Sequence, residues 1–410
     1  MENARILELI QQTAPALVAE GDLLTRNFYR HLFAFHPELH HTFNPANQAR
    51  GTQARSLFDA IVLFVTRFDQ LESLGADARR IAAKHVSVDV QPQQYAAVGA
   101  SLLATIEEWL GPAATPDVMQ AWELAYGRIA EVLIGLEAGT YEQQRKQPGG
   151  WAGFKPFVVE KVVHECDEVN SFYLVPADGQ PLPAYRAGQF ISLALEMPHH
   201  PYRQIRQYSL SEASGRPYFR ITVKREPSRT DHPSALVSNY LHDSIRVGSQ
   251  LAVHAPTGEF FLPAGGSSPL VFIAGGLGIT PIMAMLEQLA QENTPRPVLL
   301  VHAVRDADHH PFRNRLQQLA QRLPWLRFFS VYQRLPVEVA EGEADLLPPE
   351  CASGFLDAEL LGQLLTARFD GAEYYCCGPL GFMRHVNKLL IERGVEDCHF
   401  EVFGPTQGLK

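Results

Sequence analysis

Residues 269–281 read PLVFIAGGLGITP. Leu270–Ala274 is a short apolar run with β-branched and aromatic side chains, which fits a strand buried on both faces. Gly275, Gly276, Leu277 and Gly278 make a glycine turn, and Ile279, Thr280 and Pro281 open a helical pattern. Glycines let a backbone approach a pyrophosphate, and a helix N-terminus supplies free N–H groups. The spacing is not a full GxGxxG, so taken alone the turn also fits an ordinary strand-to-helix connection.

The rhythm continues downstream through PVLLVHAVR, a helix around Arg313–Arg322, LRFFSVY, and EYYCCGP into GFMRHVNKLLIERG. It predicts a doubly wound parallel α/β sheet over residues 266–410, with ligands outside the carboxyl ends of its strands. A second strand-end turn there, Cys376–Gly381, supports that reading. Upstream, in residues 147–265, short β-rich runs occur at Phe157–His164, Ser171–Pro176, Gln189–Leu195, Tyr218–Lys224 and Gln250–His254. Separated by Pro, Gly and Asp turns, they predict an antiparallel β-barrel. Gln143–Phe154 (QQRKQPGGWAGF) is polar and then glycine-rich, and reads as a joint that permits motion. Residues 1–146 are helical throughout. Apolar side chains recur at three and four, as in Leu57, Ile61, Phe64 and Phe68, or Trp122, Tyr126, Ile129 and Leu133. Gly and Pro cut this all-α domain into about seven helices.

Composition sets limits. With 46% hydrophobic and 20% charged residues, sizeable cores are available. A net charge of −10 and a pI of about 5.9 argue against nucleic acid as a partner. The start, MENARILELIQQ, is too charged for a signal peptide, and no segment approaches the ~20 apolar residues of a membrane span. Cys166, Cys351, Cys376, Cys377 and Cys398 show no CxxC or framework spacing, which fits a reducing, cytoplasmic setting. The pairs and clusters His36/His40/His41, His199/His200 and His309/His310 lack zinc spacing and read as surface side chains.

His85, in Ile81–Tyr95 (IAAKHVSVDVQPQQY), is a weak signal alone, but its companions form a set. Phe28 and Tyr29 lie on an early helix, Phe43 follows a proline corner, and Gln53 and Leu57 share a helix face at i, i+4. Tyr95 and Glu137 follow; a Glu on an apolar helix needs a partner if it is buried. The barrel region carries Arg206, Gln207, Tyr208 and Ser209, then Val237, Ser238 and Asn239, where Ser238 is placed to cap a helix facing a phosphate. The chain closes with Glu401, Val402, Phe403, Gly404 and Pro405. Taken singly, Arg206 fits a surface charge and Phe403 terminal packing.

In this order the motifs resemble the ferredoxin–NADP reductase superfamily over residues 154–405. Residues 1–146 resemble the globin of bacterial flavohaemoglobins, and together the resemblance to that family spans essentially the whole chain. It implies haem b, FAD and NADH as cofactors, with NADPH as the alternative. Arg206 would neutralise FAD phosphates, Tyr208 pack on the flavin, Ser209 bond near its reactive nitrogen, and Phe403 shield the other face. Gly276–Pro281 would hold the dinucleotide pyrophosphate, with Cys377, Gly378 and Pro379 beside the nicotinamide. Arg305 and Arg313 are placed to meet a 2′-phosphate, although charges at strand ends are usually only solvated. His85 would bind the haem iron, with Tyr95 and Glu137 behind it. Tyr29 and Gln53 would hydrogen-bond O2, Phe43 wedge the haem, and Leu57 cover the ligand. Lys84 would meet a haem propionate or Glu401.

The implied activity is nitric oxide dioxygenase: NAD(P)H reduces FAD, FAD reduces haem, and NO and O2 become nitrate. Reduction of lipid hydroperoxides or other acceptors, and O2 or NO sensing, are the alternatives. A monomer is expected, and a lipid or azole in the distal haem pocket is a further partner the resemblance allows. Two departures stand out: Phe190 where the family commonly shows Tyr, and a longer, more charged Glu226–Pro233 insertion.

Overall fold

The computed structural model describes residues 2–43, 75–198, 200–226, 235–293, 295–334 and 350–403. Gln53, Leu57, His199, Gly404, Pro405 and nearly all of the Glu226–Pro233 insertion lie outside the described residues, as do Ile61, Phe64 and Phe68.

The first region is helical. Its described residues form α1 (Asn3–Ala19), α2 (Gly21–Phe35), α3 (Gly75–Ser87), α4 (Pro92–Leu110) and α5 (Pro116–Lys146), with a 3-10 turn at Pro37–His41. Pro92 and Pro116 sit in the first turn of α4 and α5, where a missing N–H costs nothing. Gln91 and Gln94 cap each other's backbone at α4, and Thr115 Oγ1 accepts from the Val118 N–H at α5. The apolar faces share a core around Phe28, Leu32, Leu102, Ile106 and Trp122. At Gly99 the last two helices approach so closely that a Cβ would lie 2.5 Å from the Tyr126 ring. Tyr126 thereby reaches the Tyr95 carbonyl and donates to it at 2.7 Å.

The joint at 143–154 is tight rather than loose. A Cβ on Gly150 would lie 1.9 Å from the Gln144 carbonyl, and one on Gly149 2.3 Å from that of Pro181. Trp151 Nε1–H donates to the Val253 carbonyl at 3.2 Å, pinning the joint to the next region. Glycine is there because backbones meet.

That region is an antiparallel sheet of β1 (Phe154–Cys166), β2 (Val169–Pro176), β3 (Phe190–Leu195), β4 (Gln204–Ser209), β5 (Phe219–Lys224) and β6 (Gln250–His254), ordered β4-β3-β6-β1-β2-β5. Leu210 bridges Ile221, and the Ser211 N–H donates to the Arg220 carbonyl at 2.9 Å, so the edge strands curl toward each other as a barrel. A short helix, α6 (Ala235–Ser244), covers one side, with Val237 and Leu241 in the barrel core. Ser238 therefore lies inside the first turn of α6 rather than before it.

The third region is the expected parallel sheet: β7 (Leu270–Gly275), β8 (Val298–Val304), β9 (Leu326–Tyr332), β10 (Cys351–Ser353), β11 (Glu373–Gly378) and β12 (Cys398–Val402), ordered β10-β9-β8-β7-β11-β12. Every residue of β7 is buried, because α7 (Ile279–Glu292) and α8 (Arg313–Arg322) cover one face and α9 (Ala358–Leu364) and α10 (Leu380–Ile391) the other. Among the described residues no helix is long and apolar enough to cross a membrane.

One of the surface-histidine expectations is corrected, that for His310. His40 is half-buried, stacked between Phe33 at 3.8 Å and Tyr202 of the barrel at 4.4 Å. His310 is 1% exposed, packed beside the equally buried His302 and Tyr332. Burial pushes His302 down from the ordinary 6.5 to about 4, and His310 is lowered by burial and by its neighbour His302. Between those values the unfolded chain binds protons that the folded chain refuses, so stability is fully present above pH 6.5 and is lost as pH falls. The unfolding free energy, measured by denaturant titration, should drop by roughly 3 kcal/mol from His302 alone between about pH 6.5 and 4. His302→Gln should flatten that slope; the same slope in the variant would contradict a neutral, buried His302.

Candidate active site

The helical region presents one imidazole in a defined state. His85 stands in the last turn of α3, and its Nδ1 lies 2.8 Å from Glu137 Oε1 and 2.9 Å from Tyr95 Oη. Tyr95 donates its own proton to the same Glu137 oxygen at 2.6 Å. Glu137 projects from the middle of α5 and is 3% exposed, so its carboxylate depends on these donors. Burial, then the charge and hydrogen bond of Glu137, raise the Tyr95 pKa, which keeps its hydroxyl protonated. A carboxylate only accepts, so His85 Nδ1 carries a proton and donates it, and Nε2 is the ring nitrogen left to meet a metal. The His85 side chain is 36% exposed while that of Glu137 is 3% exposed, so the ring is sealed toward Glu137 and accessible elsewhere. These residues fit a haem iron.

Tyr29 of α2 is buried with Phe28 edge-on at 5.0 Å, Phe33 stacked at 5.5 Å and Phe43 edge-on at 5.8 Å. Among the described residues none hydrogen-bonds its hydroxyl, and burial pushes its pKa up. It is a protonated donor in an aromatic setting. Gln53 and Leu57, expected beside it, lie outside the described residues.

On the barrel, β3 and β4 run antiparallel with Phe190 opposite Ser209, Ile191 opposite Tyr208, Ser192 opposite Gln207 and Leu193 opposite Arg206. Arg206 donates to the Ile205 carbonyl at 2.8 Å and to Gln204 Oε1 at 3.3 Å. Among the described residues no carboxylate pairs with it, and desolvation lowers its pKa, so it is placed to receive a phosphate. Tyr208 is partly buried, and burial raises its pKa against the opposing charge of Arg206. Phe190 is held from below at Gly258, where a Cβ would lie 2.9 Å from its ring. These residues fit a flavin dinucleotide. Gln207 does something the sequence did not announce: its amide donates across the boundary to Ser87 Oγ at 2.6 Å. Ser87 lies two residues after His85 and itself donates to the Lys84 carbonyl at 2.7 Å.

In the parallel sheet the two glycine turns meet. A Cβ on Gly278 would lie 2.0 Å from the Cys377 carbonyl, and Gly276 has a φ of +51°. Leu277 accepts from Thr280 Oγ1 at 3.0 Å, closing the start of α7. Ile279 and Pro281 are buried under the sheet. Cys377 is sealed and its thiol is pushed well up by burial and then by Glu401, its register partner on β12. Gly378 ends β11 and Pro379 precedes α10. Val402 is buried, whereas Phe403 is half-exposed, its ring available to a ligand. Lys84 and Arg80 of α3 face Glu401: burial lowers Lys84 and raises Glu401, and each opposes the other's shift through its charge. Lys84, expected to meet a haem propionate or Glu401, is thus near enough to Glu401 for the two charges to act on each other, as does that of Arg80.

A helical domain with one imidazole oriented for iron, joined through packed boundaries to a flavin barrel and a dinucleotide sheet, defines a haem–flavin oxidoreductase. The globin family model matches residues 26–133, the oxidoreductase FAD-binding domain 157–262, and the oxidoreductase NAD-binding domain 272–388. The chain belongs to the flavohemoproteins. It is 39% identical to the flavohemoprotein of Rhizobium meliloti over 99% of each chain. It is 41% identical to that of Deinococcus radiodurans over 97% of this chain and 96% of the other. The flavohemoglobin of Malassezia yamatoensis, with bound FAD and heme, superposes with a TM-score of 0.83 at 28% identity, covering 98% of this chain and 99% of that one. The FAD/NAD binding domain of nitric oxide dioxygenase from Vibrio cholerae superposes at 0.54 and 35% identity, covering 61% and 99%. The cofactors are accordingly haem, FAD and a nicotinamide dinucleotide.

The Gln207–Ser87 bond ties the flavin strand to the helix that carries His85. Ser87→Ala should slow flavin-to-haem electron transfer by roughly threefold to tenfold, the effect of losing one cross-boundary bond. Flavin reduction by NADH should keep its rate. Rapid-mixing absorbance resolves the two steps, and an unchanged second step removes the bond from domain docking.

Proposed function

We propose that this chain is an NAD(P)H-dependent nitric oxide dioxygenase, converting two NO and two O2 to two nitrates with oxidation of one NAD(P)H and release of one proton. The bound cofactors supply a hydride acceptor that releases electrons singly and an iron that takes them up. One observation carries this reading: the His85 Nδ1–H faces a buried carboxylate at 2.8 Å. Such a bond gives the ring imidazolate character and makes Nε2 a stronger donor, which favours activating dioxygen over storing it.

The remaining residues divide the work. Tyr95 shares the Glu137 oxygen with His85 and thereby fixes both the ring rotation and the tautomer. Tyr29 keeps its proton and would donate a hydrogen bond to dioxygen held at the haem, stabilising developing negative charge. Gln53 would join it by the family pattern. Arg206 and the first turn of α6, with Ser238 and Asn239, bind the flavin phosphates. Tyr208, Ser209 and Phe403 orient the ring. Gly276–Pro281 and Cys377–Pro379 orient the dinucleotide. NADH is the favoured donor, because Arg305 at the end of β8 is engaged by Glu168 at 3.6 Å and Asp306 at 3.5 Å rather than left for a 2′-phosphate. Arg313 is turned to the Ala307 carbonyl at 3.4 Å.

With purified holoprotein on an NO electrode, NO loss should require both NADH and O2 and should yield nitrate. Loss that persists without NADH over repeated additions sinks the proposal. Tyr29→Phe should lower the NADH-dependent rate by roughly 10- to 100-fold and speed O2 release. Unchanged values would take Tyr29 out of the reaction.

A further inference from the structure

Behind the glycine turn runs a buried polar chain that the steps above do not use. His302 lies on β8 opposite Ala274 of β7, and its Nε2 is 2.9 Å from the Gly276 carbonyl. Its Nδ1 is 3.1 Å from His310 Nε2, and His310 Nδ1 is 2.7 Å from Tyr332 Oη. All three side chains are buried. A carbonyl only accepts, so His302 carries its proton on Nε2. Burial keeps both rings singly protonated, and it pushes Tyr332 up to about 12, so its hydroxyl remains a donor. His302 Nδ1 then accepts from the His310 Nε2–H, and His310 Nδ1 accepts from the Tyr332 hydroxyl. Only this one direction satisfies every group.

The chain acts on a backbone that needs fixing. Gly276 is in the left-handed region at φ +51°. Its carbonyl also receives the Ile279 N–H. Because the peptide is trans, a carbonyl held against His302 aims the Leu277 N–H the opposite way, out of the turn. At the other end, His310 belongs to the segment between β8 and α8, which grips the barrel. Asp308 accepts there from the Asp167 N–H at 2.9 Å, and the Arg220 guanidinium lies 5.1 Å from the Phe312 ring centre.

We propose that His302, His310 and Tyr332 are positioning residues for the dinucleotide: a relay of fixed tautomers, rooted in the barrel-gripping segment, that sets the Gly276–Leu277 peptide for the pyrophosphate. It rests on the reading that Gly276–Pro281 holds that pyrophosphate.

The test is anaerobic flavin reduction in the holoprotein, followed by rapid mixing across NADH concentrations. His302→Ala and Tyr332→Phe should raise the Kd for NADH by roughly fivefold to tenfold, with the limiting rate and the FAD content as in the parent. His302→Gln, whose amide N–H reaches the Nε2 position, should recover most of the affinity. An unchanged Kd in both His302→Ala and Tyr332→Phe overturns the relay. So does a loss of FAD and a lower Tm without a change in Kd, which is mere packing. Gly276→Ala, strained at its positive φ, separates the two layers. If it weakens NADH binding while the relay variants do not, the relay alone fails; if it leaves Kd untouched, the pyrophosphate reading fails and the relay with it. Should Tyr332→Phe not fold, the comparison of His302→Ala with His302→Gln decides the question.

Discussion

A carboxylate buried in the middle of a helix has to be matched, and here the match is the His85 N–H together with the Tyr95 hydroxyl. Both bond to one oxygen of Glu137, at 2.8 and 2.6 Å. An isolated carboxylate at 3% exposure would cost several kcal/mol or more. The three groups therefore fold together, and the ring emerges with its tautomer set. Much of the helical region supports that arrangement: Gly99 lets the Tyr126 ring close on α4, Tyr126 fixes the Tyr95 backbone, and Tyr141 donates to the Val90 carbonyl at 2.8 Å to fix the turn between α3 and α4.

The end of α3 is also where the other domains arrive. Ser87 accepts from the Gln207 amide of the flavin strand, and the charges of Lys84 and Arg80 act on Glu401, which lies beside Cys377 on the dinucleotide sheet. The last two turns of α3 thus lie close to elements from all three functional regions. Charge pairs at a partly buried boundary contribute less to stability than to register, and register is what electron transfer needs. The tight glycine joint acts in the same sense.

The parallel sheet was legible because its strands are buried on both faces and leave continuous apolar runs, as in Leu270–Ala274. The long helices were legible from periodicity, and the breaks between them from Gly and Pro, as at Pro92 and Pro116. Individual site residues came from the family pattern, since Tyr29, Glu137 and Lys84 have no local signal that sets them apart. What sequence reading missed depends on tertiary contact. β4 (QIRQYS) is too polar on one face to read as a strand, and β10 is only three residues long. The PGG joint reads as a hinge until its neighbours are seen. His310 sits in a polar loop, and only Tyr332, His302 and the edge of Phe328 at 5.9 Å show that it is interior. Ser87 and Gln207 meet across a boundary that no spacing encodes.

The Glu137 carboxylate reaches the metal position only through His85. Glu137→Gln preserves the shape and leaves an oxygen to accept the Nδ1–H, but removes the charge. Resonance Raman spectroscopy of the ferrous holoprotein reads the strength of the iron–histidine bond directly. Its stretching frequency should fall in Glu137→Gln while the haem content holds. An unchanged frequency would contradict it.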